Sequence, residues 1–126
     1  MQVLKEITDN GGDAIAVKAD MRVPAEVENL FNTAIKTFGH IDVLINNAAV
    51  ALGKLLIDTT LEDFENTFNT NIRGNFLMTK QVIPHFLSNG GGKIINISSV
   101  WGQTGGALET VYSATKGQFP AKYEKY

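Results

Sequence analysis

Cysteine is missing altogether. Its absence excludes a disulfide framework and any thiolate metal site, and it suits a reducing compartment, so a cytoplasmic location is expected. Histidine is scarce. His40 and His85 stand far apart and form no i,i+4 pair, so no zinc site is expected. His40 reads as a solvated turn residue after Gly39, and His85, beside Pro84 near a helix end, reads as equally bland. Charge of one sign is also lacking. Charged residues make up 19%, the net charge is -2, and Lys and Arg are scattered among acids. Nothing offers itself to a phosphate backbone, and no nucleic-acid partner is expected. No apolar run approaches the ~18 residues of a membrane span, and the opening MQVLKEITDN is amphipathic and charged, unlike a signal peptide. No membrane partner is expected. The sequon Asn96-Ile97-Ser98 lies inside an apolar strand pattern and reads as accidental.

What is present fits one domain over residues 1–126, with 44% hydrophobic residues. Val3, Leu4 and Ile7 share a helix face that Asn10-Gly11-Gly12 ends. Residues 14–20, AIAVKAD, form a short apolar run closed by an acid, which suits a strand covered on both faces. Pro24 starts a second helix with apolar positions Val27, Leu30, Phe31, Ala34, Ile35 and Phe38, and Gly39 stops it. Residues 41–47, IDVLINN, form a second strand. Thr59 and Glu62 have capping-box spacing before a long helix over 61–87, with Leu61, Phe64, Phe68, Ile72, Phe76, Ile83 and Leu87 as its apolar line. Gly74 and Pro84 interrupt it. KIINIS is a third strand, followed by a glycine-rich loop and the start of a helix.

Helices alternating with apolar strands predict an α/β fold with a parallel sheet. Ligands in such sheets bind beyond the carboxyl ends of the strands, and here those ends are Asp20, Asn46-Asn47 and Ser98-Ser99. Tyr112 and Lys116 are four apart, so a helix places them on one face. An ammonium beside a phenol favours the phenolate, and that pairing can exchange a proton with a substrate oxygen. Ser99, thirteen residues before Tyr112, can hold the same oxygen. Tyr-x-x-x-Lys alone is also what many ordinary helices carry.

DVLINNAA, NTNIRGNF, GGKIINISSVWG and VYSATKG occur in this order and at these separations. Together they resemble the short-chain dehydrogenase/reductase family over roughly residues 1–118. The resemblance implies a partial Rossmann-type doubly wound sheet, with three incomplete βα units. It implies hydride transfer between NAD(H) or NADP(H) and a carbonyl or secondary alcohol of a small molecule. Within the family, 3-oxoacyl carrier-protein reductases and sugar or glucose dehydrogenases are the nearest branches. By motif match Ser99 would bind the carbonyl oxygen, Tyr112 would be the general acid/base, and Lys116 would hold the nicotinamide ribose and support the phenolate. Asn71 matches the asparagine that helps order a proton-relay water. Ser98 stays open as an alternative to Ser99, although the spacing to Tyr112 favours Ser99. Asp20 matches an acid near the adenine, and its other reading is a loop residue capping Val23 or its neighbours. Asn46, Asn47, Ala48 and Ala49 match a run that steadies the sheet and lines the cofactor. Ala49 stands where the family has glycine, which is costly there only if φ is positive.

Two departures from the family pattern stand out. No Thr-Gly-x-x-x-Gly-x-Gly turn is present to bring backbone to the cofactor pyrophosphate, and Gly90-Gly91-Gly92 precedes a strand rather than a helix. The resemblance therefore places the first two βα units as missing or partly missing. After Lys116-Gly117 the chain runs into a short tail, 119–126, that is atypical for the family. In the order 3-2-1-4-5-6 the strand at 14–20 belongs two positions from the strand at 41–47, which leaves a hole, exposed apolar surface and unpaired backbone. The expectation is an oxidoreductase signature that is inactive in this fragment. The alternatives are a non-catalytic fragment docking through its long helix on a full-length relative, or a remnant without function. Full-length members are expected to be homo-oligomers.

Overall fold

The structure, a computed structural model, describes residues 2–117. The tail read at 119–126 lies outside the described residues. The first helix, α1 (Gln2–Asp9), ends as its glycines dictate: Gly11 has φ 79°, and the Gly11 and Gly12 amides return to Thr8 O and Ile7 O. Helix α2 (Pro24–Phe38) opens on proline and closes on Gly39, whose φ of 83° lets its N–H reach Ile35 O at 2.8 Å. Val27 on its inner face is buried, and α2 packs on the later part of the long helix.

Among the described residues the sheet has two parallel strands, β1 (Val43–Asn46) and β2 (Lys93–Asn96), in register from Val43 opposite Lys93 to Asn46 opposite Asn96. Residues 14–20, expected as a third strand, are not one. The doubly wound order puts them two positions from β1, and no described strand fills the interval. An apolar run without a ladder partner gains nothing from strand geometry. The consequence for the sheet is exposure: Val43, Ile45, Ile95 and Ile97 remain open to solvent.

Residues Leu61–Ser88 form one continuous helix in three parts: α3 (Leu61–Phe68), a π turn (Asn69–Arg73) and α4 (Gly74–Ser88). The capping box is Thr60 with Asp63, not Thr59 with Glu62. Thr59 is used one step earlier, its hydroxyl donating to Leu55 O at 2.9 Å as it closes the 3-10 turn Leu56–Asp58. Thr60 Oγ1 is free to accept from the Asp63 amide, and Asp63 Oδ2 accepts from the Thr60 amide, both at 3.1 Å.

Neither expected interruption breaks the helix. Pro84 sits within α4, and Gly74 is helical with Met21 seated where a side chain would be. A Cβ on Gly74 would lie 2.7 Å from Met21 Cβ. The irregularity comes just before, in the π turn.

The apolar line read along this helix does not match its buried face. Leu61, Phe64, Phe76, Ile83 and Leu87 are exposed, whereas Thr67, Asn71, Asn75, Met78, Val82 and Phe86 are buried. Among the described residues, Met78, Val82 and Phe86 join Val27 and Val111 as the buried apolar core, while seven buried positions are polar or charged. Those polar positions must find partners inside the protein, and most of them surround the site. His85 is no bland end residue: it is half-buried, its Nε2 accepts from the Ile41 amide at 3.0 Å, and its ring meets Phe31 edge-on. Helix α4 thus sets where the chain enters β1.

Candidate active site

Parallel pairing sends the ends of β1 and β2 to the same rim. At the end of β1, Asn46 is buried, and its amide nitrogen donates to Asn96 Oδ1 at 2.8 Å and Thr79 Oγ1 at 3.1 Å. It joins the two strand ends to α4. Thr79 has no sequence signal, and Asn96 reads in the sequence only as part of a sequon, although it stands at the same place in KIIN as Asn46 in VLIN. Ala48 and Ala49 follow in an exposed stretch. No described residue other than glycine has positive φ, so alanine at 49 carries no backbone strain.

Asn71 lies in the π turn and is 1% exposed. Its Oδ1 accepts from the Val50 amide at 2.8 Å, and its Nδ2 donates to Val50 O at 3.0 Å and to Thr115 Oγ1 at 2.9 Å. Its own carbonyl accepts from Asn75 Nδ2 at 2.8 Å. One side chain therefore fastens the loop after β1 and the helix α6 (Thr110–Lys116) to the long helix. Thr115, also unread from sequence, passes the contact on by donating to Tyr112 O at 2.7 Å.

After β2 the chain turns through Ser98 and Ser99 into a short helix, α5 (Trp101–Thr104), within the expected glycine-rich loop. Ser99 is half-buried, and its Oγ accepts from the Trp101 amide at 3.3 Å. Ser98 Oγ donates to Lys116 O at 2.8 Å. Lys116 is 3% exposed, and its Nζ donates to Ile97 O at 2.6 Å. Burial lowers its pKa below the usual lysine value. The same Nζ lies 5.8 Å from the centroid of the half-buried Tyr112 ring, as the i,i+4 spacing requires.

Asp20 is placed apart from these residues. Arg22 holds its carboxylate through Nε and Nη2 at 2.7–3.1 Å and through its backbone amide at 2.9 Å. These contacts lower the Asp20 pKa to about 2. Arg22 Nη1 also donates to Asn66 Oδ1 at 2.7 Å. The loop is thus anchored on the long helix on both sides of the π turn, at Asn66 and at Gly74. The side chain of Asp20 turns back on Arg22, close to the loop-residue reading. Only its carbonyl reaches Val23, accepting from that amide at 2.9 Å.

A family model described as short chain dehydrogenase matches residues 1–120. The chain belongs to the short-chain dehydrogenase family. It is 43% identical to a 3-oxoacyl-[acyl-carrier-protein] reductase of Synechocystis, over 90% of this chain and 46% of that protein. It is 38% identical to elsinochrome reductase 1 of Elsinoe fawcettii, over 91% of this chain and 43% of that protein. Among solved structures, a 3-ketoacyl-(acyl-carrier-protein) reductase from Brucella melitensis complexed with NADH superposes with a TM-score of 0.82 at 33% identity, covering 90% of this chain and 49% of that one. The chain spans about half the length of the relatives it matches.

The α/β fold expected from the sequence is the one observed, reduced to a small parallel sheet with helices. Within it, Ser99, Tyr112, Lys116 and Asn71 lie on elements joined directly to one another, and Asn46 braces the strand ends beneath them. Asp20 is held by Arg22 and, through its amide, by Glu26 of α2, and its loop meets the long helix at Asn66 and Gly74.

Proposed function

We propose that this site is the chemical half of an NAD(P)-dependent oxidoreductase acting on a small-molecule carbonyl or secondary alcohol. The observation that carries the reading is Lys116: a buried amine beside the Tyr112 ring that spends one donor on Ile97 O. An ammonium has three donors, so two remain for hydroxyl groups such as those of a nicotinamide ribose. The residues fit NAD(H) or NADP(H), which when bound supplies the hydride for the carbonyl carbon. Tyr112 gives the matching proton to the carbonyl oxygen, and Ser99 donates a hydrogen bond to that oxygen. Asn71 keeps α6 in place while this happens, and Ala48 and Asp20 contribute to the cofactor's bed. The names of the Synechocystis and Brucella relatives favour a 3-oxoacyl thioester over a sugar as substrate class.

The 126 residues contain no glycine turn for the cofactor pyrophosphate, and we propose that they do not turn over substrate by themselves. Turnover of NADPH or NADH with acetoacetyl thioester by the purified chain would refute that. The role of the site is tested by grafting residues 14–117 into the Synechocystis reductase in place of its matching segment. The chimera is expected to reduce the thioester and to lose that activity with Tyr112→Phe while still binding NAD(P)H. A folded, cofactor-binding chimera that is inactive with Tyr112 in place would overturn the assignment.

A second reading has its own support. Leu61, Phe64, Phe76, Ile83 and Leu87 leave an exposed apolar line on the long helix, as a surface for a full-length family member or a second copy would. Co-elution of the chain with such a relative, lost with Phe76→Glu, is the expected result.

A further inference from the structure

Ser98 has no part in the chemistry assigned to Ser99, yet its hydroxyl proton is committed. It donates to the carbonyl of Lys116 at 2.8 Å, while the Lys116 amine donates back to Ile97 O at 2.6 Å. The two bonds run in opposite directions between the same two pieces of chain, the end of β2 and the last turn of α6. Carbonyls in the last turn of a helix have no partner within the helix. Ser98 supplies one for Lys116.

Helix α5 closes the third side. A Cβ on Gly102 would lie 2.6 Å from both the carbonyl carbon and oxygen of Lys116, and 2.9 Å from the Gly117 nitrogen. From the other side, a Cβ on Gly117 would come within 3.1 Å of Gly102 O. The backbones touch at this crossing, and neither glycine can take a side chain without moving its neighbour.

Lys116 needs such support. It is 3% exposed, and no carboxylate pairs with it among the described residues. An ammonium in that setting is not held by an ion pair, and a single carbonyl does not fix four rotatable bonds. What holds the amine at the rim is the placement of its own backbone.

We propose that Ser98 and Gly102 are positioning residues for Lys116, clasping its backbone so that Lys116 and Ser99 are carried as one unit. The proposal rests on the reading of Lys116 as the cofactor-holding residue, and it gives Ser98 a role distinct from that of the serine beside it. It also accounts for a helix, rather than an open loop, directly after the serines: α5 brings Gly102 onto Lys116.

The test is acetic anhydride labelling of the full 126-residue chain, read lysine by lysine by peptide mass spectrometry across a pH series. In the unaltered chain Lys116 is expected to label about tenfold more slowly than exposed Lys36 and Lys80, because its amine reacts only when the site opens. Ser98→Ala is expected to speed labelling at Lys116 several-fold, leave labelling of Lys36 and Lys80 unchanged, and raise the pH midpoint of Lys116. Ser98→Thr keeps the hydroxyl and restores protection. Gly102→Ala acts in the same direction as Ser98→Ala with Ser98 intact. Should Gly102→Ala fail to fold, the Ser98 pair carries the test alone. Unchanged Lys116 labelling in Ser98→Ala overturns the proposal, as does an equal rise at every lysine, which marks loss of general stability. The parent reading fails separately: a Lys116→Ala chimera that binds NAD(P)H undiminished would sink it without altering the labelling pattern.

Discussion

The amide nitrogen of Asn71 donates to Thr115 Oγ1 at 2.9 Å, joining the π turn of the long helix to the helix that carries Tyr112 and Lys116. The same side chain makes a reciprocal pair with the Val50 backbone. An aspartate could keep the bond from the Val50 amide but could not donate to Thr115 or to Val50 O. Asn71→Ala is expected to cost about 2–3 kcal/mol, because it leaves buried groups without partners. Asn71→Asp should not rescue it. Urea unfolding followed by circular dichroism measures both, and a cost below about 0.5 kcal/mol for Asn71→Ala would show that the bonds do not hold the elements together.

Arg22 is predicted to govern the titration of Asp20. With the guanidinium in place the carboxyl sits at about 2. An Asp whose folded value is depressed adds stability that is present above its unfolded value of about 3.9 and disappears as the pH falls through the folded one. Arg22→Ala should return Asp20 toward about 3.9 and flatten this part of the acid profile. Carboxyl-carbon NMR titration of the two proteins reads the shift directly. An Asp20 midpoint that stays near its original value in Arg22→Ala would mean that other groups hold it.

Gly74→Ala tests the seat of the Asp20 loop on the long helix. The new methyl would meet Met21 Cβ at 2.7 Å and Met21 O at 3.0 Å. Overpacking of this kind costs about 1–3 kcal/mol. Trimming Met21 to alanine should not relieve it, because Cβ and the backbone oxygen remain. Urea midpoints of the single and double variants decide the point, and relief in Gly74→Ala/Met21→Ala would place the conflict farther out on the methionine side chain.

The parts legible in sequence were those set by local chemistry. Gly11 and Gly39 ended helices because their positive φ is free of cost, and Pro24 opened one. The i,i+4 spacing of Tyr112 and Lys116 fixed their shared face, and the strand ends gave the rim. What stayed illegible depends on partners distant in the chain. Residues 14–20 have strand composition and no strand to pair with. Thr59 and Thr60 both offer a capping hydroxyl, and only the 3-10 turn decides which is free. The apolar line of the long helix is strong by periodicity, yet Asn71, Asn75 and Thr67 take the buried face because the site lies there. Arg22 carries no motif, and Thr115 and Ser98 lie inside motifs without a position-specific signal for their contacts; each matters through a residue 18 to 44 positions away.

Lys116 should leave a signature in the pH dependence of stability. Burial holds its folded pKa below the usual value, so between the folded value and the unfolded one of about 10.4 the unfolded chain binds more protons. Stability linked to this group therefore rises with pH across that interval, the reverse of a lysine stabilised by an acid. Lys116→Met keeps most of the apolar stem and removes the titration. Subtracting its urea unfolding free energies from those of the unaltered chain, at steps from neutral pH to about 10, cancels the contributions of the other lysines. The difference is expected to climb in favour of the unaltered chain as the pH rises. A flat difference would mean that the amine titrates alike in both states and is not buried in solution, and a falling one would point to an acid paired with it.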